Sequence, residues 1–255
     1  MTEYTDHYAP DGLRTRATVV VVPGRGETRA TYARLGRRLA ADAYRVRVVD
    51  APDLDADDVA GSLTRFGARL TTAVEGTAAE DGTVRPVVLL GADTGAVAVA
   101  ALLGRDEIPA AGLPDAVVLA GLPGHAATTA GPWDEELDAR TSCPAHRQTL
   151  TDDAQVRHGT LGDAVPDTLL DAALAAEPAV PALLLVGDAD PLADRDSLAG
   201  IAKSLPRARL SVVRGAHHDV LNDVQHRSVA AEIVTFLETL RNELVPVIAV
   251  EASTW

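Results

Sequence analysis

A doubly wound α/β fold built on a mostly parallel sheet is the class this 255-residue sequence predicts, on three observations. Apolar, β-branched runs recur along the chain, most of them are continuous rather than alternating, and helical periods fall between them. A continuous run suits a strand buried on both faces, which requires helices on either side of the sheet. Strand and helix alternating through most of a chain are the mark of the α/β class. At 47% hydrophobic content the sequence can bury the core of one large or two small domains.

Six strands are expected, at Ala17 to Val22, Tyr44 to Val49, Pro86 to Leu90, Ala116 to Ala120, Pro181 to Val186 and Arg209 to Val213. Steps of three and four residues predict helices through Val59, Leu63, Phe66, Leu70 and Val74, through Leu198, Ile201 and Leu205, and through Val229, Ile233, Leu237 and Leu240. Thr28 to Ala41 and Gly95 to Leu103 are shorter helical candidates, each following a glycine-containing turn. Asp55, Asp57 and Asp58 suit the N-terminal dipole of the helix through Val59. The alternation fails from Leu122 to about Val180, where only Trp133 to Arg140 and Pro166 to Ala176 read as short helices. A structureless stretch of that size inside a compact domain implies a functional insertion. The expected organisation is therefore a core of residues 1–121 and 180–255 with an inserted lid at 122–179. The apolar tail from Leu244 to Trp255 receives no assignment.

Charge excludes several function classes. With 37 acidic against 23 basic residues, a formal net charge of −14 repels nucleic-acid backbones and anionic membrane surfaces. A small-molecule substrate is the expected partner, and oligomeric state stays open, a homodimer included. The single cysteine, Cys143, forms no internal disulfide, and no basic-then-apolar leader opens the sequence, so a cytoplasmic location is expected. Cys143-Pro144-Ala145-His146 has the spacing of half a zinc site without a second pair nearby, so no metal is read there. No glycine-rich dinucleotide fingerprint appears, and no cofactor is expected. His125, His146 and His158 lie in or beside the insertion and read as surface histidines.

Four segments carry the chemistry. Leu89-Leu90-Gly91-Ala92-Asp93-Thr94-Gly95-Ala96 sets an acidic residue between glycines where a strand turns into a helix, a strained elbow that presents the middle side chain beside helix N-terminal amides. Val22-Pro23-Gly24-Arg25-Gly26-Glu27 follows the first strong strand. Gly187-Asp188-Ala189-Asp190-Pro191-Leu192 follows the fifth, and Arg214-Gly215-Ala216-His217-His218-Asp219 follows the sixth. In this order the segments resemble the α/β-hydrolase superfamily. That resemblance implies Asp93 at the nucleophile position, Asp190 rather than Asp188 as the triad acid, and His218 as the catalytic histidine with His217 as fallback. It implies the backbone N–H groups of Arg25 and Thr94 as oxyanion-hole donors. Gly24, Trp133 and His217 are further candidates for substrate contact. The Gly24-Arg25-Gly26-Glu27 loop and the His218 to Asp223 segment look like those of lysophospholipases and monoacylglycerol lipases, which are serine esterases. The aspartate at the elbow instead resembles the epoxide hydrolases and dehalogenases.

A carboxylate is ionised at neutral pH and attacks sp3 carbon to give a stable ester, whereas attack on a carboxylic ester would give a reactive anhydride. Asp93, His218 and Asp190 are therefore expected to hydrolyse a small organic substrate through an ester on Asp93. The sequence departs from the relatives in four ways: Pro23 stands where histidine is common, Thr94 stands where dehalogenases carry tryptophan, all four tyrosines precede the insertion, and the elbow lacks the carboxylate-binding arginine of haloacid-type relatives, for which Arg25 is a candidate clamp. An alternative expectation is proton-transfer chemistry, as in a cyclase, lyase or isomerase, with Asp93 held at a raised pKa. A silent binding protein on the same fold is the third class.

Overall fold

The continuous apolar runs become central strands because helices cover both of their faces. The computed structural model describes residues 4–80, 82–105, 114–125 and 131–252. One sheet contains β1 (Tyr4–His7), β2 (Thr18–Val22), β3 (Arg45–Val49), β4 (Val87–Ala92), β5 (Ala116–Ala120), β6 (Ala182–Gly187) and β7 (Ala208–Val213), in the order β1-β3-β2-β4-β5-β6-β7. Every neighbouring pair is parallel except β1 with β3. The helices are α1 (Ala33–Ala41), α2 (Val59–Glu75), α3 (Thr94–Leu103), α4 (Trp133–Arg140), α5 (Pro144–Asp152), α6 (Asp167–Leu174), α7 (Arg195–Ser204) and α8 (His226–Arg241).

Alternate residues of each strand enter opposite layers. Val20, Val22, Leu89, Val117 and Leu184 pack with α2, α3, α6 and α7, whereas Val19, Val21, Leu90, Val118 and Leu183 pack with α1 and α8. Complete burial of each such side chain contributes about 1.5–3 kcal/mol. Among the described residues no helix is long and apolar enough to cross a membrane.

Two elements differ from expectation. The edge strand β1 is unanticipated, because Tyr4-Thr5-Asp6-His7 carries no apolar run. Asp6 joins it to β3 by ion pairs with Arg45 and Arg47, whose guanidinium groups lie 3.7 Å over the Tyr8 ring and 3.6 Å over the Tyr4 ring. The insertion is not a uniform cap. Its α4 and α5 form a small cluster around Leu137, Leu150 and Val156, but α6 sends Leu169, Leu170 and Ala173 into the main core beside α3.

The chain leaves β2 for β3 on one side of the sheet and returns to β4 on the other. Crevices form at such a reversal outside the carboxyl ends of the strands. The loops after β2 and β4 flank this point, and those after β5, β6 and β7 open on the same edge.

Candidate active site

Asp93 sits where β4 turns into α3, at φ 46° and ψ −121°. A non-glycine residue held at positive φ indicates a conformation enforced by its surroundings. The enforcement comes partly from Gly95, where a Cβ would stand 2.5 Å from the carbonyl oxygens of both Val22 and Pro23. The glycine lets the helix press against the end of β2 and aims the Asp93 side chain into the crevice. The backbone N–H of Asp93 is tied to the Ala120 carbonyl at 3.0 Å, fixing the elbow to β5 as well.

The predicted acid, histidine and elbow residue converge. His218 places Nε2 3.2 Å from Asp93 Oδ1, and its Nδ1 lies 3.1 and 3.0 Å from the two Asp190 oxygens. Asp190 is held in turn by the Leu192 N–H at 2.9 Å. Asp188 points elsewhere and accepts the Gly215 N–H at 2.6 Å. His217 also lies apart from Asp93, with its backbone N–H and Nδ1 both on Asp223, so it braces its loop and does not substitute for His218.

The Arg25 N–H points as an oxyanion-hole donor should, but Asp93 itself receives it: the amide donates to Asp93 Oδ2 at 2.8 Å. Thr94 opens α3, where first-turn amides have no acceptor within the helix. The Arg25 side chain, a candidate clamp for a substrate carboxylate from the sequence, is bound to Asp93 instead. It grips the same carboxylate in a two-pronged contact, Nε to Oδ2 at 2.8 Å and one terminal nitrogen to Oδ1 at 2.7 Å. The other terminal nitrogen donates to the Leu161 and Asp163 carbonyls of the insertion at 2.9 and 2.6 Å. Every guanidinium nitrogen is engaged, in the fork geometry that makes arginine the preferred partner of a carboxylate.

These contacts set the charge state. Burial alone would raise the Asp93 pKa, but the Arg25 charge and hydrogen bonds from His218 and Arg25 hold it well below the usual carboxylate range. The direction is opposite to that required for Asp93 as a neutral acid or high-pKa base. Burial would likewise depress His218, yet Asp190 and Asp93 push it up to about 10. Both shifts favour the charged forms, a carboxylate at Asp93 and an imidazolium at His218.

A second buried network lies behind the first. Arg140, at the end of α4, donates to Glu136 at 3.0 and 2.8 Å and to the Arg25 carbonyl at 2.7 Å, and it approaches Asp219 at 3.5 Å. The backbone N–H groups of His218 and Asp219 donate to the Ala139 and Arg140 carbonyls at 3.2 and 2.8 Å. Residues at the end of α4 thus hold the loop that carries His218. Glu27, pushed up to about 7 by burial and by Asp219, accepts the Gly24 N–H at 2.8 Å and the Tyr32 hydroxyl. Glu27, His146 and Asp219 bring ligand-type atoms within 4.8 Å of one another. The Arg140 guanidinium already supplies the cation of this cluster, and the His146 ring is bonded to Asp219 at 2.9 Å. His146 is accordingly a buried network member rather than a surface residue.

A Cβ on Gly24 would lie 2.7 Å from Asp93 Cβ, so glycine at this position allows close packing against the elbow. Trp133 stacks on His158 at 3.8 Å between ring centres and packs on the α4–α5 cluster. Tyr32, set aside because it precedes the insertion, does line the small cavity formed by Asp93, Ala120, His218 and Asp219. That cavity is ≈ 10 Å³, room for about one water. Over the ends of β5 and β6 lies a separate open cleft of ≈ 500 Å³, lined by Leu122, His125, Leu192, Arg195 and Leu198.

Comparison with known proteins follows the same lines. The family model described as serine aminopeptidase, S33 matches residues 14–225. No curated protein matches the chain significantly by sequence. A soluble variant of the monoglyceride lipase from Saccharomyces cerevisiae superposes with a TM-score of 0.72 at 14% identity, over 93% of this chain and 91% of that one. The monoacylglycerol lipase of Paleococcus ferrophilus gives 0.65 at 18% identity, over 93% and 98%. MenH from S. aureus gives 0.60 at 15% identity, over 95% and 100%. At these identities the superpositions speak for the fold, and the family match spans most of the sequence: the chain belongs to the serine aminopeptidase S33 family of α/β-hydrolase-type enzymes, with Asp93 at its elbow.

Proposed function

We propose that the chain hydrolyses a small organic substrate by attack of the Asp93 carboxylate on an sp3 carbon. The observation that carries the reading is an ionised, buried carboxylate on a strained elbow with His218 and Asp190 in line behind it. In the first step Asp93 Oδ1 forms a bond to carbon and the leaving group departs with its electron pair. Esterification removes the negative charge that helped keep His218 protonated. The imidazolium then releases its proton, to an oxyanion leaving group or to solvent, and becomes the base that the second step needs. Neutral His218, oriented by Asp190, takes a proton from water. The hydroxide adds to the Asp93 carboxyl carbon, and the Arg25 amide holds the developing oxyanion. Collapse returns the Asp93 carboxylate and releases an alcohol.

The cavity beside Asp93 holds about one water, so admitting a substrate requires the side chains around it to move. A single turnover in heavy-oxygen water is expected to leave label in the Asp93 carboxylate, read by peptide mass spectrometry. An unlabelled Asp93 after demonstrated turnover would remove its role as nucleophile.

A further inference from the structure

Past α8 the sequence has the character of a strand. Val245-Pro246-Val247-Ile248-Ala249-Val250 is rich in β-branched residues, yet it forms neither strand nor helix, and its four largest side chains are exposed. Glu243 and Glu251 bound it, and no basic residue follows Arg241. Among the described residues, β7 at the sheet edge has β6 as its only neighbour. The Arg207 and Val213 carbonyls face β6, where they accept the Ala182 and Asp188 N–H groups at 2.9 and 3.1 Å. Backbone groups alternate sides along a strand, so those of Ala208, Leu210 and Val212 face outward, an open template for another strand. Arg207, Arg209 and Arg214 make this edge basic in a chain of net charge −14. The opposite edge, β1, is shorter and carries Asp6.

The tail cannot lie along the β7 of its own chain. α8 begins over β7, where Glu232 accepts from Arg209 and Ser211 at 3.1 and 2.7 Å, and it ends at the amino ends of β2 and β3, where Glu238 accepts from Arg16 and Tyr44. The N–H groups of Leu244 and Val245 then turn back onto the Thr239 and Asn242 carbonyls, each at 2.9 Å, which keeps Val245 at that end. With β4, β5 and β6 between β2 and β7, the gap is four strand spacings, ~19 Å. The steps from Val245 to Val250, at about 3.3 Å each, would be spent on the crossing.

We propose that residues 245–250 add as an eighth strand to β7 of a second copy of this chain, with the exchange returned about a two-fold axis. Reciprocal exchange closes the assembly as a dimer. Proline fixes the register. It lacks an N–H, so Pro246 takes an outward position, and Val245, Val247 and Ala249 turn their backbone groups to β7. Pro246 then interrupts the new outer edge and discourages a ninth strand. Glu243 and Glu251 stand eight residues apart, against seven for Arg207 and Arg214, so both ends of the tail lie beside a cation whichever way it runs.

Sedimentation of the full chain at rising concentration is expected to show a monomer passing to a dimer. Val247→Pro removes an inward N–H from an exposed segment, so it leaves folding untouched and should hold the chain monomeric. Ile248→Pro, one residue on, removes an outward N–H and should leave the dimer. Val212→Pro, on the open side of β7, should give a monomer, as should removal of residues 246–255. Mixing that truncated chain with Val212→Pro restores one contact between a tail and an edge, so the two monomers should associate with each other. The proposal is overturned by a wild-type chain that stays monomeric, by a dimer that survives truncation, or by equal effects of Val247→Pro and Ile248→Pro. Failure of the mixed monomers to associate, with both folded, overturns it too. Should Val212→Pro fail to fold, the truncation and the two tail prolines decide alone.

Discussion

At the scale of single residues, the site is a set of charges that hold one another in place. His218 titrates near 10 because two carboxylates face it, so Asp93→Asn should move its titration down toward the ordinary histidine value of 6.5, observable by NMR of the ring. An unchanged titration would show that Asp93 does not face the ring in solution. On the proposed mechanism the same substitution removes the nucleophile, and turnover should fall by roughly 10³-fold or more. His218→Ala is expected to let the ester accumulate on Asp93, as an added mass on the intact protein. Gly24→Ala should impair folding or turnover without altering any polar group, since its methyl meets the Asp93 side chain at 2.7 Å.

At the scale of elements, α4 joins the insertion to the machinery beneath it. Arg140 is nearly inaccessible and bonds both to the Arg25 carbonyl and to Glu136, while its own carbonyl holds the Asp219 N–H. Arg140→Ala leaves Glu136 and Asp219 buried without their cation, a loss of about 3–5 kcal/mol. A denaturant midpoint within error of wild type would contradict that placement. The strands and most helices were legible because burial on two faces demands continuous apolar runs and helices demand three- and four-residue steps; α2, α7 and α8 lie where those periods fall, and α3 and α4 lie at two of the shorter helical candidates. Two elements escaped because their partners are polar. β1 depends on Asp6 with two arginines of β3, and α5 contributes mainly Leu150 and His146, too few apolar positions to form a period. The motif order brought out Asp93, Asp190 and His218. It could not reveal the Arg25 fork, the Tyr32 wall or the Arg140 hub, because each depends on how far a long side chain reaches across the crevice.

At the scale of the whole molecule, stability should lean toward mildly acidic pH. A histidine raised to about 10 contributes stability fully below its unfolded value of 6.5 and loses it as pH rises through 10. Glu27, raised to about 7, favours the folded state in the same acidic direction, losing its contribution as pH climbs from 4.5 to 7. Asp93 and Asp219 are shifted down and oppose acid, since what they contribute above 3.8 is lost as pH falls below it. Tm measured against pH should therefore peak between about 4 and 6.5 and decline toward 10, less steeply in His218→Ala. The net charge of −14 adds self-repulsion that reinforces the alkaline decline.

Beyond α8 the chain exposes Val245, Val247, Ile248 and Val250 at 59–79% of their surfaces. Removing residues 246–255 should leave Tm within ~1 °C, because these side chains bury little, and should reduce any concentration-dependent association in sedimentation. Arg25 carries one further consequence, for ancestry. Its main chain and its side chain both end on Asp93, so positions 25 and 93 constrain each other's substitution. Serine at 93 would leave a buried cation unanswered, and aspartate at 93 beside an apolar residue 25 would leave an anion with only the imidazole and one backbone amide. A lineage crossing between hydroxyl and carboxylate chemistry on this scaffold must change the two positions together, or accept an unstable intermediate between them.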